Sequence, residues 1–266
     1  MTRGWSKMGE IRSNIDAQGI ATVTLSNPSR MNAMQLQMWR ALQETMQALS
    51  NDTQVRVVVL RGDGDAAFVS GADISEFESV RATPDAVLIY DELVEAAEDA
   101  IGACRKPVIA AISGVCYGGG LGIALSCDLR YSSHDARFCL PAGKLGLGYG
   151  LEDVRRLHRI LGSANAAELL LTANVYKGPQ AVSLGLAHAC VDDVFAHAQT
   201  VAERVASFAP LTLRSVKMAL QHLDQVVGAP SPAEISAAVT ACFESEDYAE
   251  GRQAFAQKRT PNFKGR

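Results

Sequence analysis

The sequence predicts an α/β fold made of repeated strand–strand–helix units, followed by a region that is helical throughout. Three observations predict it. Residues 55–60 form an apolar run interrupted only by Arg56, and residues 106–114 predict another buried strand, as expected for strands covered on both faces. Residues 34–49 carry apolar side chains at helical spacing. From residue 194 onward, every periodic segment has helical spacing.

The first elements are a hairpin and two helices separated by a strand. Residues 11–16 and 19–26 predict a β-hairpin, because the residues between them favour a turn. The helix over residues 34–49 is expected to bury one apolar stripe. After the strand over residues 55–60, Thr83 is expected to cap a helix that begins at Pro84 and runs to about residue 101.

The rest of the chain alternates short strands and helices before it becomes helical. The expected strands cover residues 129–132, 138–140 and 190–194. The expected helices cover residues 123–127, 151–161, 164–171, 178–185, 194–208, 211–223, 232–242 and 245–258. We therefore divide the chain into a core over residues 1–195 and a helical C-terminal region over residues 196–266.

Composition narrows the class of protein. With 266 residues and 48% hydrophobic content, the chain can bury one large core and a small appended part. A net charge of -4 argues against a nucleic-acid-binding surface. The first 14 residues are polar, unlike a signal peptide, and no run reaches the ~20 apolar residues of a membrane span. These features predict a soluble cytoplasmic protein without a membrane partner.

Six cysteines lie scattered along the chain without the spacing of metal ligands. Most fall in apolar runs, so we expect reduced core residues and no metal site. The glycine cluster at residues 118–122 lacks the following acidic residue and the βαβ context of a dinucleotide-binding motif. No nicotinamide or flavin cofactor is therefore expected.

Two segments rich in small residues are the most informative feature of the chain. Residues 70–74 (Ser-Gly-Ala-Asp-Ile) and residues 118–122 (Gly-Gly-Gly-Leu-Gly) each follow a predicted strand. Glycine lets the backbone approach a ligand closely, and a helix that begins there adds the positive end of its dipole. The two segments predict an oxyanion hole of peptide N–H groups, which stabilises a thioester enolate or a tetrahedral oxyanion. Tight packing of strand against helix is the alternative explanation of the glycines.

At these residues the chain resembles the enoyl-CoA hydratase/isomerase family, also called the crotonase superfamily. The resemblance covers nearly the whole chain, and its matching segments occur in the family's order. They are residues 20–33, 68–77, 106–128, 136–138 with 144–147, and 255–264. The resemblance implies a crotonase-like spiral of ββα units, a lyase or isomerase acting on an acyl-CoA thioester, and a homotrimer or dimer of trimers. Coenzyme A would be part of the substrate, so no separate cofactor is implied.

The resemblance also implies roles for individual residues. Ala72 and Gly119 align with the two family positions whose N–H groups hold the thioester oxygen. The C-terminal helices would cap the site and contact a neighbouring subunit. For Lys258, a solvated basic helix end is an equally good interpretation. The remaining residues expected at the substrate are Arg30, Met31, Ala33, Asp73, Ile74, Gly118, Pro141, Phe255 and Lys258.

The acid/base residues depart from the family pattern. A hydratase needs two carboxylates beside the bound alkene, one to activate water and one to handle the proton at the adjacent carbon. The resembling hydratases carry these glutamates at the positions of Gly122 and Ala142, neither of which can carry a proton. An ordinary crotonyl-CoA hydratase is therefore not expected.

A second departure favours a different reaction. Tyr149 aligns with a tyrosine of the methylmalonyl-CoA decarboxylase-like members. Decarboxylation to an enolate needs the oxyanion hole and a group that orients the carboxylate, but no glutamate pair. The alternatives are that Tyr149 only packs at a strand end, that a hydratase uses Glu152 or Asp153 instead of the missing pair, and that the protein binds CoA thioesters without turnover.

Overall fold

The computed structural model describes residues 8–266, and its strands form two sheets. The predicted core region and the polar N-terminal segment both begin at residue 1, so their first seven residues lie outside the described part. The strands are β1 (Glu10–Ile15), β2 (Ile20–Ser26), β3 (Val57–Gly62), β4 (Ala67–Val69), β5 (Val108–Ile112), β6 (Val115–Tyr117), β7 (Leu129–Ser133), β8 (Arg137–Cys139), β9 (Tyr176–Lys177) and β10 (Ala189–Val191).

Helices cover both sheets and form the C-terminal part. They are α1 (Leu36–Asn51), α2 (Phe77–Val80), α3 (Pro84–Gly102), α4 (Gly119–Ser126), α5 (Ala142–Leu145), α6 (Leu151–Thr172), α7 (Gly178–Leu184), α8 (Val194–Ala206), α9 (Pro210–Leu223), α10 (Pro232–Glu244) and α11 (Glu246–Gln257). Two short 3-10 helices, Pro28–Arg30 and Ile74–Glu76, lie in the loops that reach the cleft described below.

The order of strands confirms the predicted spiral. A six-stranded sheet has the order β1-β2-β3-β5-β7-β10, and a four-stranded sheet has the order β4-β6-β8-β9. Strands β3, β5 and β7 of the first sheet are each followed directly by a strand of the second sheet, and then by a helix. Pairing is parallel except between β1 and β2 and between β8 and β9. The chain therefore winds through successive ββα units.

The apolar patterns of the sequence have their expected structural effect. The predicted hairpin forms between β1 and β2, and α1 buries its apolar stripe, which includes Met38, Trp39 and Leu42. The side chain of Thr83 accepts a hydrogen bond from the N–H of Ala86 and caps α3 as predicted. All residues of β5 are buried, as expected for a strand covered on both faces.

Several predicted boundaries were wrong by a few residues, and tertiary contacts explain the differences. Helix α1 begins two residues later than predicted, because the N–H of Met34 donates to the carbonyl oxygen of Gly71. Strand β3 begins at Val57 rather than at Val55, whose N–H closes a turn on Asp52. Helix α4 begins at Gly119, earlier than predicted, so the glycines belong to the helix itself.

Apolar side chains are buried on both faces of the six-stranded sheet. One cluster fills the space between the two sheets and the helices α1, α3, α4 and α6. The second lies on the opposite face, where Val194, Ala198 and Val201 of α8 pack against strand residues such as Val57 and Ile109. Helix α8 is thus part of the core, although it lies beyond the boundary that we placed at residue 195. The assignment of two regions stays a prediction.

The last helices are joined to the sheet by polar contacts. The Lys217 Nζ atom of α9 lies 2.7 Å from Asp128 Oδ2, and the same carboxylate oxygen accepts from the N–H of Val108. The Arg56 guanidinium donates to the carbonyl oxygen of Phe263 at 2.6 Å. These contacts fix the chain terminus beside β3. None of the helices within residues 8–266 is long and apolar enough to cross a membrane.

Helix α6 is interrupted at Gly162, which separates the two helices predicted there. Gly162 has φ 70° and ψ 169°, a conformation that is essentially restricted to glycine. An added Cβ at this position would meet no atom within 4 Å, so a substitution would act through backbone strain alone. The break redirects the chain between the part of α6 at the cleft and its C-terminal half.

We expect Gly162→Ala to lower the free energy of unfolding by about 1–3 kcal/mol, because alanine strains this conformation. Gly143→Ala is the matched control: Gly143 lies in α5, and its added Cβ would also meet no atom within 4 Å. This control is expected to change stability by less than about 1 kcal/mol. Urea unfolding of both variants measures the difference, and equal losses would contradict the strain argument.

Candidate active site

A cleft lies between the N-terminal end of α4, helix α3 and the first turns of α6. Both predicted donor segments line it, together with Trp39 of α1 and the loop that contains Pro141 and Tyr149. Phe77 of α2 and Tyr90 of α3 also line the cleft and pack edge to face with ring centroids 6.1 Å apart. The structure therefore brings the two donor segments to one cleft.

The first donor segment is held by the loop that follows β2. The N–H of Met34 donates to the carbonyl oxygen of Gly71 at 2.8 Å, and the N–H of Asp73 donates to the carbonyl oxygen of Met34 at 2.9 Å. These two bonds flank Ala72. Within residues 8–266, no hydrogen bond to a protein acceptor uses the N–H of Ala72. This N–H is thus available to a ligand in the cleft.

The second donor segment is the N-terminal turn of α4. The N–H of Gly118 donates to the carbonyl oxygen of Cys139 at 3.0 Å and fixes the start of the turn. Gly119 is the first residue of the helix, so its N–H has no acceptor within the helix. The positive end of the helix dipole lies at the same place. The turn thus offers a donor and a favourable field to a negative oxygen.

Close backbone approach explains why this turn consists of glycines. Gly118 has φ 50°, a value that residues other than glycine rarely adopt. A Cβ on Gly119 would lie 2.9 Å from the Trp39 ring, and one on Gly120 would lie 2.3 Å from the carbonyl oxygen of Val69 in β4. A Cβ on Gly118 would lie 3.8 Å from Gly71 Cα. The two donor segments are therefore neighbours.

A buried hydrogen bond supports the turn from behind. Trp39 Nε1 donates to Tyr90 Oη at 3.1 Å, which joins α1 to α3 beneath the glycines. Burial raises the pKa of Tyr90 to about 12, so the phenol is protonated at neutral pH. The Trp39 ring is consequently held in the position that excludes a side chain at residue 119.

Several residues expected at CoA lie beside the first donor segment. Ser70 donates from its N–H to the carbonyl oxygen of Met31 at 3.1 Å and from its hydroxyl to that of Arg30 at 3.2 Å. The Arg30 guanidinium lies 3.8 Å from the carboxylate of Asp73, which is buried and accepts from Ser75. Ala33 is buried between these residues and Met34, and the exposed Ile74 lines the cleft.

The C-terminal residues expected at CoA lie elsewhere in the chain. Phe255 is 88% exposed and lines a cavity between α9, α10 and α11, and that cavity shares no residue with the cleft. Lys258 ends α11 in a left-handed conformation with φ 53°. Within the described part of one chain, neither residue contributes to the cleft lining. Their predicted role at CoA stays a prediction.

The predicted acid/base candidates occupy different places. Tyr149 lines the cleft, and its hydroxyl oxygen accepts from the N–H of Ala142 at 3.3 Å. Burial raises the pKa of Tyr149 above its usual value. Glu152 forms an ion pair with Arg155 and lines a neighbouring cavity, whereas Asp153 lines the cleft. Of the two adjacent carboxylates, the structure thus brings only Asp153 to the cleft wall.

Glu98, a buried carboxylate in the cleft wall, was not among the residues predicted from the sequence. Its side chain is 3% exposed and forms an ion pair with Arg156 of α6. Burial raises the pKa of Glu98 to about 7, while the Arg156 guanidinium opposes this increase. An ideal Cβ on Gly122 would lie 1.9 Å from Glu98 Oε1. A carboxylate from α3 therefore occupies the space beside the glycine where the family's glutamate is missing.

A pattern in the sequence could have indicated Glu98. Tyr90, Val94 and Ile101 share one face of α3 with Glu98, since they lie eight, four and three residues from it. A glutamate within an apolar helical stripe is a buried charge, which needs a partner or a function. Glu98 lies far by number from both donor segments, so proximity in the sequence did not indicate it.

Potential metal ligands and the cysteines were located in the described part of the chain. No group of three or more His, Cys, Asp or Glu side chains within residues 8–266 has an arrangement that could hold a metal ion. All six cysteines are free, and four of them are buried. Burial raises the pKa of Cys127 to about 12, which keeps it as a thiol.

Fold and cleft together define an α/β spiral with a candidate site made of backbone donors. The family model described as enoyl-CoA hydratase/isomerase matches residues 16–266. The chain belongs to the enoyl-CoA hydratase/isomerase family of enzymes.

Similar proteins include enzymes with different named reactions. A short-chain-enoyl-CoA hydratase of Clostridium acetobutylicum is 32% identical over 250 residues, which are 90% of this chain and 92% of that protein. A Delta(3,5)-Delta(2,4)-dienoyl-CoA isomerase of Arabidopsis thaliana is 32% identical over 270 residues, with 95% of each chain covered. The crystal structure of an enoyl-CoA hydratase/carnithine racemase from Magnetospirillum magneticum has a TM-score of 0.91 and 38% identity, and the match covers 98% of this chain and 97% of that one.

The contact between Gly122 and Glu98 can be measured by a double-mutant cycle. We expect Gly122→Ala to lower the free energy of unfolding by about 1–3 kcal/mol, because the added Cβ displaces a buried, paired carboxylate. In the Glu98→Ala background, the same substitution should be neutral or stabilising by up to about 1 kcal/mol, since alanine favours helix. Urea unfolding of the four proteins gives the coupling energy. Equal effects of Gly122→Ala in both backgrounds would show that the two residues do not compete for space.

Proposed function

We propose that the cleft binds an acyl-CoA thioester and polarises its carbonyl group between the N–H groups of Ala72 and Gly119. The observation that carries this proposal is the contact between Gly71 and Gly118, which makes the two unused donors neighbours. The names of the related hydratase and isomerase, both of which act on CoA thioesters, support the proposed substrate class.

Backbone donors suit this chemistry because they stabilise charge that develops during the reaction. When a proton or a carboxylate leaves the carbon beside the thioester carbonyl, its bonding electrons form a carbon–carbon double bond, and the carbonyl electrons move to oxygen. Two fixed N–H groups and a helix dipole lower the energy of that oxyanion without reorganising. They can therefore serve several reactions that share one enolate.

Coenzyme A is proposed to lie along the loop that follows β2 and to enter as part of the substrate. Arg30 and Met31 are the candidates for its ribose and phosphates, and the half-exposed Arg30 guanidinium supplies a positive charge there. Asp73 and Ile74 are proposed to lie beside the adenine, and Ala33, Gly118 and Pro141 are proposed as further contacts to the substrate. The bonds that join this loop to Ser70 support a common binding surface.

The C-terminal helices are proposed to act between subunits. Phe255 is highly exposed and shares an apolar cavity with Phe243, Tyr248 and Phe263. A homotrimer or a dimer of trimers would cover this surface and would let Phe255 and Lys258 reach the CoA of a neighbouring subunit. The proposal explains why neither residue lines the cleft of its own chain.

We expect Gly119→Pro to slow enolate formation by about 10²–10³-fold, because proline lacks the N–H of one donor. Proline is tolerated at the first position of a helix. Gly119→Ala is the matched control, since it adds the same Cβ near Trp39 but keeps the N–H. The assay follows exchange of the C2 hydrogens of butyryl-CoA in D₂O by mass spectrometry, alongside calorimetric binding of butyryl-CoA. Equal rates for the two variants would contradict the proposed donor.

Decarboxylation of a malonyl-type thioester is the second candidate, and the position of Tyr149 favours it. The Ala142 N–H uses an acceptor position on the Tyr149 hydroxyl, so the O–H remains available to donate. A carboxylate in the cleft could accept this bond and be oriented by it. The presence of Gly122 and Ala142 in place of the family's glutamates does not prevent this reaction, because decarboxylation needs no glutamate pair.

If this candidate is right, the enzyme releases CO₂ from malonyl-CoA or methylmalonyl-CoA. Tyr149→Phe should then lower the rate of release by about tenfold or more, because one hydrogen bond to a charged group is lost. Butyryl-CoA carries no carboxylate, so its C2 exchange serves as the internal control and should change little. Failure of the wild-type enzyme to release CO₂ from either thioester would eliminate the decarboxylase.

A further inference from the structure

We propose that Glu98 is the general acid/base catalyst of this enzyme, and that its carboxylate removes and returns a proton at the carbon next to the thioester carbonyl. The proposal rests on the acyl-CoA chemistry proposed above. It assigns the proton transfer to helix α3, whereas the family pattern places its glutamates in α4 and after β8.

The first support is the position of the carboxylate relative to the donors. Glu98 Oε1 lies against Gly122, which is three residues after Gly119 on α4. Three residues of helix correspond to about 4.5 Å along the axis. A carbonyl oxygen held by the Gly119 N–H would have the adjacent carbon two bonds away. The carboxylate therefore lies within about one helical turn of the donor, and both belong to the lining of the same cleft.

The second support is that one carboxylate oxygen is free to react. Arg156 donates to Glu98 Oε2, whereas Oε1 is the carboxylate oxygen nearer to Gly122. Within residues 8–266, no hydrogen-bond donor engages Oε1, and Glu98 belongs to the cleft lining. Arg156 thus fixes the orientation of the side chain while Oε1 faces the cleft.

The surroundings of Glu98 shift its pKa towards neutral pH. Burial raises its pKa to about 7, the Arg156 guanidinium lowers it, and Asp153 and Asp99 raise it. A catalytic acid/base works best when its pKa is near the working pH. On helix α4, the residue next to the carboxylate oxygen Oε1 is Gly122, which carries no charge. Ionisable groups in the neighbouring cavity, which Glu98 also lines, are Asp99, Glu152, Arg155, Arg156, Arg159 and Asp224.

Asp153 is the competing carboxylate, and its exposure disfavours it. The Asp153 side chain is 44% exposed, compared with 3% for Glu98. Burial raises the pKa of Asp153 as well, but its greater exposure leaves more of this carboxylate in contact with water, which stabilises its charge. Asp153 lies 3.8 Å from Arg156 and so acts on Glu98 through the shared guanidinium.

The proton transfer balances without any further reactant. The Glu98 carboxylate takes a proton from C2, the C–H electron pair forms the double bond of the enolate, and the carbonyl electrons move to the oxygen held by Ala72 and Gly119. The neutral carboxyl then exchanges its proton with solvent. Return of a deuteron from the carboxyl to C2 restores the thioester with one hydrogen replaced by deuterium.

Exchange of the C2 hydrogens of butyryl-CoA in D₂O tests the assignment. We expect Glu98→Gln to lower the exchange rate by about 10²–10⁴-fold while butyryl-CoA binding is retained, because the amide keeps the shape of the side chain. The melting temperature should fall, since the buried Arg156 guanidinium loses its charged partner, so binding shows that the variant is folded. Glu95→Gln is the matched control: Glu95 lies one turn earlier on α3 and outside the cleft lining. It should exchange at the wild-type rate.

The pH dependence separates a catalytic role from a structural one. The base is the ionised form, so wild-type exchange should rise with pH and level off above about pH 7. The residual exchange of Glu98→Gln should lack this rise. A second test moves the carboxylate: Glu98→Ala/Gly122→Glu places it on α4 and should exchange at least about tenfold faster than Glu98→Ala.

Distinct results would overturn this proposal and the one on which it rests. If Glu98→Gln exchanges at the wild-type rate while Gly119→Pro does not, Glu98 is only a structural partner of Arg156 and the oxyanion hole stands. Loss of exchange in Asp153→Asn but not in Glu98→Gln would assign the proton transfer to Asp153. Binding of butyryl-CoA by the wild type without exchange would refute an acid/base role for Glu98. If the wild type does not bind butyryl-CoA, the acyl-CoA site itself is refuted.

Discussion

Direct backbone contact between the first turn of α4 and its neighbours is the constraint on which the cleft depends. Gly120 lies so close to the carbonyl oxygen of Val69 that no side chain fits between α4 and β4. Gly118 is in ordinary van der Waals range of the backbone of Gly71, since a Cβ on it would lie 3.8 Å from Gly71 Cα. Both donor segments thereby become parts of one rigid unit, fixed to the four-stranded sheet. A cleft whose donors belong to the backbone keeps its geometry even when the side chains around it change.

Helix α3 completes the cleft from the other side and is held at two points. Tyr90 bonds to Trp39 of α1, and Glu98 pairs with Arg156 of α6. The first contact fixes the wall behind the glycines, and the second brings a carboxylate to the donors. Burying an ion pair costs desolvation energy that the attraction offsets only in part. A pair of this kind therefore contributes more to the properties of the cleft than to the stability of the fold.

Much of the fold follows from local patterns, whereas the chemistry of the cleft depends on tertiary contacts. Apolar stripes and strand runs predicted α1, β5 and the succession of ββα units, because each pattern acts within one element. The glycines at residues 118–120 indicated close backbone approach, which the structure shows. The sequence alone could not predict the contact between Glu98 and Gly122, since these residues are 24 positions apart and lie in different helices. Phe255 lies on the exposed apolar surface of the last helices, away from the cleft, and no local pattern in the sequence indicated that place.

The shared space at Gly122 and Glu98 also limits how this protein can evolve. A side chain at residue 122 and a glutamate at residue 98 would compete for the same volume, so neither position can change alone without a cost. Moving the carboxylate from residue 98 on α3 to residue 122 on α4 takes two substitutions. The intermediate between them has either both side chains, which collide, or neither of them. The intermediate without either side chain avoids the collision and leaves the backbone of the first turn of α4 unchanged.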